Sequence, residues 1–155
     1  MNPAPRITQD GSPIRWSRFP LTIRVWPDVP LEMASAAMMA AHKWNAAAHR
    51  HAPDFGPLFA PWCGVEHMDV TVFYDPRQSY TQHSVNGIGR TIDVSTVNLQ
   101  PLPFWEMVQA AKHELGHALG LAHDEHTPRA LMYPKLGTRR QPTRREVLTV
   151  VGRLG

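Results

Sequence analysis

The hydrophobic residues of this chain occur in short groups that prolines, glycines and polar residues separate. Leu21 to Trp26 alternates and is rich in β-forming residues, so it predicts a strand that Pro27 ends. From Leu31 to Ala48, alanine and methionine predominate without a proline, which predicts a long helix lying across a sheet. Its apolar residues at helical spacing predict a buried stripe: Leu31, Ala34, Met38, Ala41 and Trp44.

The second half of the chain predicts more strands and a second long helix. A Pro- and Gly-rich connection, with a short strand near Leu58 and Phe59, leads to the strongest strand, Val70 to Tyr74. Residues 77–89 are polar and contain Asn86-Gly87, a turn signal. Thr91 to Val97 predicts a further strand, and Pro101 and Pro103 then lead into a helix. This order predicts an α+β domain with helices packed on a twisted mixed sheet.

Length and composition agree with one compact domain. A chain of 155 residues is long enough for a core and a cleft, and no apolar group could span a bilayer. The single cysteine, Cys63, excludes an internal disulfide. Residues 1–20 predict an irregular arm without a secretory signal. We therefore expect a protein that stays in the cytoplasm, leaves by a non-Sec route, or lacks an upstream segment here.

The net charge of +3 is unevenly placed, because basic residues concentrate near the C-terminus. They are Lys135, Arg139, Arg140, Arg144 and Arg145. A solvated loop running into a helix explains them, and contact with an acidic substrate or a membrane surface is the alternative. No aromatic residues alternate with these charges, so we do not expect nucleic acid as a partner.

A cluster of histidines after Pro103 carries the chemistry. His113 and His117 are four residues apart, so on a helix they share one face and can bind one metal ion. Gly120 can end that helix in a left-handed conformation and let the chain return His123 to the same ion. Three imidazoles leave the fourth position of a tetrahedral zinc open for water. Glu114 faces that position and can act as general base in hydrolysis.

This stretch resembles the metzincin metalloproteases, with their HExxHxxGxxH motif and following Met-turn, and looks most like the matrixin branch. The diagnostic part is 113–134, and weaker similarity places most of the chain. The resemblance implies a catalytic domain over residues 21–155, with a long N-terminal helix, a zinc-binding helix, a Met-turn and a C-terminal helix. It implies a zinc endopeptidase in which Met132 forms an apolar floor beneath the histidines.

The resemblance also implies how substrate is held. A peptide would add as a strand along a sheet edge. Its side chain would enter a pocket beside the zinc, where Tyr133, Pro134 and Leu136 follow the methionine. Leu136 replaces the tyrosine of a matrixin Pro-x-Tyr wall, so the preferred side chain is not predicted. Pro134 occupies the position of the tyrosine ligand found in some metzincins, so no fifth ligand is expected.

Several departures bear on metals and regulation. Residues near 76–90 offer only His83 and Asp75 as further ligands, so a second zinc or a structural calcium is doubtful. Cys63 lies in a segment similar to the propeptide latch of matrixins, but after the first helix and without the latch arginine. We expect this cysteine to be buried or idle, and the protein to be a monomer.

Two other classes stay open. In one, a different zinc hydrolase uses Glu146 as third ligand. In the other, a zinc ion only holds a binding surface together. Gly120 and Met132 would have no role in the first, and Glu114 argues against the second, because a structural site needs four ligands and no base. The remaining histidines, including His83 and His126, are expected at the surface.

Overall fold

A five-stranded mixed sheet forms the centre of the computed structural model, which describes residues 1–86, 90–135 and 140–154. Its central strand β5 (Val70–Tyr74) lies parallel to β3 (Leu21–Val25) on one side and to β7 (Thr91–Leu99) on the other. The edges are β4 (Phe59–Pro61), parallel to β3, and β6 (Tyr80–Asn86), antiparallel to β7. The first three residues of β5 are buried, as a strand covered on both faces requires.

Three helices complete the architecture of the described residues. They are α1 (Leu31–His51), α2 (Phe104–Ala118) and α3 (Arg144–Val150). α2 packs against β6, β7 and α1, and the indole of Trp44 on α1 donates to the Lys112 carbonyl of α2 at 2.9 Å. This arrangement confirms the predicted α+β class with a long first helix and a C-terminal helix. Within the described ranges, no helix is both long enough and apolar enough to cross a membrane.

The N-terminal arm packs against the end of α2. It contains the short strands β1 (Thr8–Gln9) and β2 (Ser12–Pro13), which pair antiparallel. The Ile7 amide donates to the Gly120 carbonyl at 2.9 Å, and the indole of Trp16 donates to the Ala118 carbonyl at 2.7 Å. The arm therefore lies along the segment that leaves α2 toward His123.

The predicted buried stripe of α1 is correct at Ala41 and Trp44 and wrong at Leu31 and Met38. Leu31 is 82% exposed and Met38 36% exposed. The buried residues of this helix are Met33, Ala36, Ala37, Ala40, Ala41, Trp44 and Ala48. Alanine or methionine occupies 11 of the 21 positions of α1, so neighbouring stripes are similarly apolar and the sequence does not distinguish them.

The sequence pattern also missed β6, which lies within the polar residues 77–89. Its side chains alternate between partly buried and exposed positions, as expected of an edge strand. The alternation is hard to recognise because Thr81 and His83 occupy the inward positions. Gly87 of the predicted turn lies outside the described residues.

Candidate metal centre

The end of α2 brings three histidines together. His113 and His117 lie one turn apart on α2, whose last residue is Ala118. Gly120 then has φ +100°, a left-handed conformation that reverses the chain at little steric cost. His123 follows this turn, and one ligand atom from each of the three imidazoles lies within 4.8 Å of the others. In the part of the chain that the structure describes, this is the one group of histidines, cysteines and acids that could hold a metal ion.

Hydrogen bonds to backbone carbonyls orient two of the imidazoles. Nδ1 of His113 lies 2.9 Å from the Leu131 carbonyl, and Nδ1 of His117 lies 2.7 Å from the Leu121 carbonyl. Because a carbonyl only accepts, each Nδ1 carries the proton and each Nε2 keeps a lone pair for a metal.

The spacing of the free nitrogens fits zinc. Nε2 of His113 lies 3.2 Å from Nε2 of His123. A tetrahedral ion with Zn–N bonds of about 2.0–2.1 Å requires ligand nitrogens about 3.3 Å apart. The spacing of His113 and His123 is therefore compatible with a zinc site.

Burial favours the neutral form of His113 and His117, the form that a metal ligand requires. Desolvation by burial and the nearby His113 lower the pKa of His117 to about 3. Burial also lowers the pKa of His113, although its bond to Leu131 opposes the shift. His123 is the exposed member of the set, so the site opens to solvent on its side.

Glu114 lies beside the histidines and is 7% exposed. Burial raises the pKa of its carboxyl to about 7, and a hydrogen bond from Thr81 opposes that shift. The Thr81 hydroxyl lies 2.8 Å from Glu114 Oε1. A carboxyl with a pKa near neutrality can both take and return a proton.

Met132 packs against α2 at Gly116. It is buried, and a Cβ added at Gly116 would lie 2.3 Å from its sulfur. Glu146 fixes the turn around this methionine, since its carboxylate accepts from the Met132 amide at 2.9 Å and the Leu131 amide at 3.4 Å. Glu146 thus anchors the turn around Met132 and is not part of the histidine cluster. The alternative of a different zinc hydrolase, with Glu146 as third ligand, therefore loses its support. The sequence analysis predicted neither the close packing of Met132 on Gly116 nor the hydrogen bonds from Glu146 to this turn.

The predicted pocket residues are only partly described. Tyr133 is half-buried, with the Arg140 guanidinium 5.2 Å from its ring centre, and Pro134 is exposed. Leu136 and Arg139 lie outside the described residues. Cys63 is exposed, and its thiol contacts the Pro61 carbonyl at 3.5 Å. The expectation that Cys63 is buried was therefore wrong.

His83 corrects another expectation, because it is not a surface residue. Its Nδ1 lies 2.7 Å from the Ser95 hydroxyl, and its Nε2 is buried. Burial lowers the pKa of His83 to about 4. Its inward position on β6 is the physical reason, whereas His126 is exposed as expected. Asp75, the other suggested ligand, accepts instead from the Arg77 amide at 2.8 Å.

Comparison with known proteins places the chain in a family. It is 29% identical to matrix metalloproteinase-20 of Homo sapiens over 136 residues, which is 80% of this chain and 28% of that protein. The chain thus spans less than a third of this relative's length. The model of the matrixin family matches residues 32–147, which include nearly all of α1, the whole of α2, the histidine cluster and Met132. The chain belongs to the matrixin family of metallopeptidases.

Proposed function

We propose that this protein is a zinc-dependent endopeptidase that hydrolyses peptide bonds in proteins. A single zinc ion would be held by His113, His117 and His123, with Glu114 as general base. The observation that carries this proposal is the convergence of three imidazoles beside a buried carboxyl. Membership of a metallopeptidase family supports the same reading.

The zinc ion and Glu114 would have different roles in hydrolysis. A bound zinc ion would supply Lewis acidity, lowering the pKa of a coordinated water from about 15.7 toward 7. Glu114 takes the proton of the attacking water and hands it to the departing amine. Its low exposure keeps bulk water from competing for that proton. Met132 and Gly120 have supporting roles, as the floor beneath the ligands and the turn before His123.

Substrate binding is proposed at the edge of the sheet. β6 is an edge strand and packs against α2, so a peptide added along it would pass the histidines. Tyr133, Pro134 and Leu136 are proposed to line the side-chain pocket. We further propose a monomer with a protein or peptide substrate and no nucleic-acid partner.

Cleavage of an unbiased peptide library tests the proposal. The wild-type protein is compared with Glu114→Gln and His117→Ala, and with His42→Ala as a matched control on the exposed face of α1. Zinc content is measured on each. We expect about one zinc per chain and cleavage in the wild type and His42→Ala. Glu114→Gln should keep zinc and lose turnover, and His117→Ala should lose both.

Two results would overturn the proposal. Cleavage that survives in Glu114→Gln would exclude this glutamate as the general base. Bound zinc without cleavage by the wild type would instead favour a metal-stabilised binding module or a site latched by Cys63.

A further inference from the structure

The inward face of β6 contacts α2 next to the histidine cluster. Thr81, on this face, places its hydroxyl 2.8 Å from Glu114 Oε1 and 3.0 Å from the Glu114 carbonyl. We propose that Thr81 is a positioning residue that holds the Glu114 carboxyl in place. This inference rests on the proposed function, in which Glu114 is the general base.

The chemistry of a hydroxyl suits this role. Thr81 has one proton to donate and lone pairs to accept with, but both of its neighbours on Glu114 are acceptors when the carboxyl is ionised. In that state the hydroxyl donates to Oε1. Thr81 itself neither gains nor loses a proton.

The hydroxyl is held rigidly where it is needed. Thr81 pairs with Val97 in the β6–β7 ladder, which fixes its backbone. Its branched Cβ restricts χ1, so the oxygen does not need to be ordered when Glu114 reacts. Glu114, in contrast, has a longer side chain with more rotamers to restrict. Losing the hydroxyl would therefore leave the carboxyl misplaced for part of the time.

Substitution at Thr81 tests this role against a plain packing role. Thr81→Val keeps the shape and removes the hydroxyl, and Thr81→Ser keeps the hydroxyl. Thr96→Val is the matched control, because Thr96 pairs with Gln82 and so points to the opposite face of the sheet. We expect Thr81→Val to lower kcat roughly ten- to a hundredfold, the loss that is typical when a residue that hydrogen-bonds to a group of a metal site is removed. Its KM and zinc content should stay unchanged, and Thr81→Ser should recover most of kcat.

A second readout does not depend on turnover. In protein labelled with ¹³C at the glutamate carboxyl and freed of metal, Glu114→Gln identifies the Glu114 resonance. That resonance should move in Thr81→Val and stay in place in Thr96→Val.

The outcomes separate this inference from the proposed function. Undiminished kcat in Thr81→Val, beside an active wild type, would refute the role of Thr81 and leave the endopeptidase standing. Loss of zinc in Thr81→Val, or no recovery by Thr81→Ser, would show a structural role instead. If the wild type does not cleave, the proposed function fails, and an unmoved carboxyl resonance in Thr81→Val would refute the contact as well.

Discussion

Replacing Gly116 by alanine would put a methyl group into space that Met132 occupies. The new Cβ would lie 2.3 Å from the Met132 sulfur and 3.2 Å from Cζ2 of Trp44. The first distance is far shorter than any normal contact, so the methionine must move. Met132 is 1% exposed, so it has little free space to move into.

Two opposing effects decide the stability of Gly116→Ala. Alanine is better than glycine inside a helix by about 1 kcal/mol. Overpacking a closed core costs about 1–3 kcal/mol. The net expectation is a loss of up to about 2 kcal/mol in the free energy of unfolding, and about 2–4 °C in Tm for each kcal/mol in a domain of this size.

Removing the methionine side chain should reverse the sign of the effect. In a Met132→Ala background the new methyl meets a cavity, so Gly116→Ala should stabilise the protein by roughly 1 kcal/mol. The coupling energy of the double-mutant cycle should then be about 1–3 kcal/mol. Denaturant unfolding of the four metal-free proteins measures it. Stabilisation by Gly116→Ala to the same extent in both backgrounds would refute the proposed contact.

Three further predictions follow from buried and exposed groups. Burial raises the pKa of Glu146 above its ordinary 4.5, so the folded state holds that proton more tightly than the unfolded state. The difference in free energy of unfolding between the wild type and Glu146→Gln should therefore fall as pH rises from 4.5 through the raised pKa of Glu146. An increase of this difference over the same pH range would contradict the prediction. Arg145→Met would leave the buried Asp124 carboxylate without its ion-pair partner and should lower the free energy of unfolding by on the order of 3 kcal/mol in the same denaturant assay. Arg153→Met, at an exposed ion pair, should change it far less. Alkylation of the exposed Cys63 should change neither zinc content nor peptide cleavage, and a gain in cleavage would reveal a latch.

The histidine cluster could be predicted from sequence because helix geometry is local. Residues four apart on an α-helix share a face, which placed His113 and His117 without knowledge of the fold. Gly120 is equally local, since its φ of +100° follows from the need to reverse the chain before His123. The main strands and helices were also predictable, because their apolar periods are strong.

The partners of the cluster could not be predicted in this way, because they come from distant parts of the chain. Thr81 contacts Glu114 across 33 positions, and Glu146 contacts Met132 across 14. No periodic pattern links such residues. The prediction that Leu31 and Met38 are buried was wrong for a different reason, namely that an alanine-rich helix offers several nearly equivalent apolar faces.

The failure to predict β6 is itself connected with the site. An edge strand is recognised when its inward positions are apolar and its outward positions polar. In β6 two of the inward positions are instead Thr81, which contacts Glu114, and His83, whose ring is buried beside Ser95. A polar residue on the buried face of a strand weakens the alternation that reveals the strand. The part of the sheet that lies nearest the proposed chemistry is thus the part whose sequence departs most from the pattern of a strand, as local departures at functional sites lead one to expect.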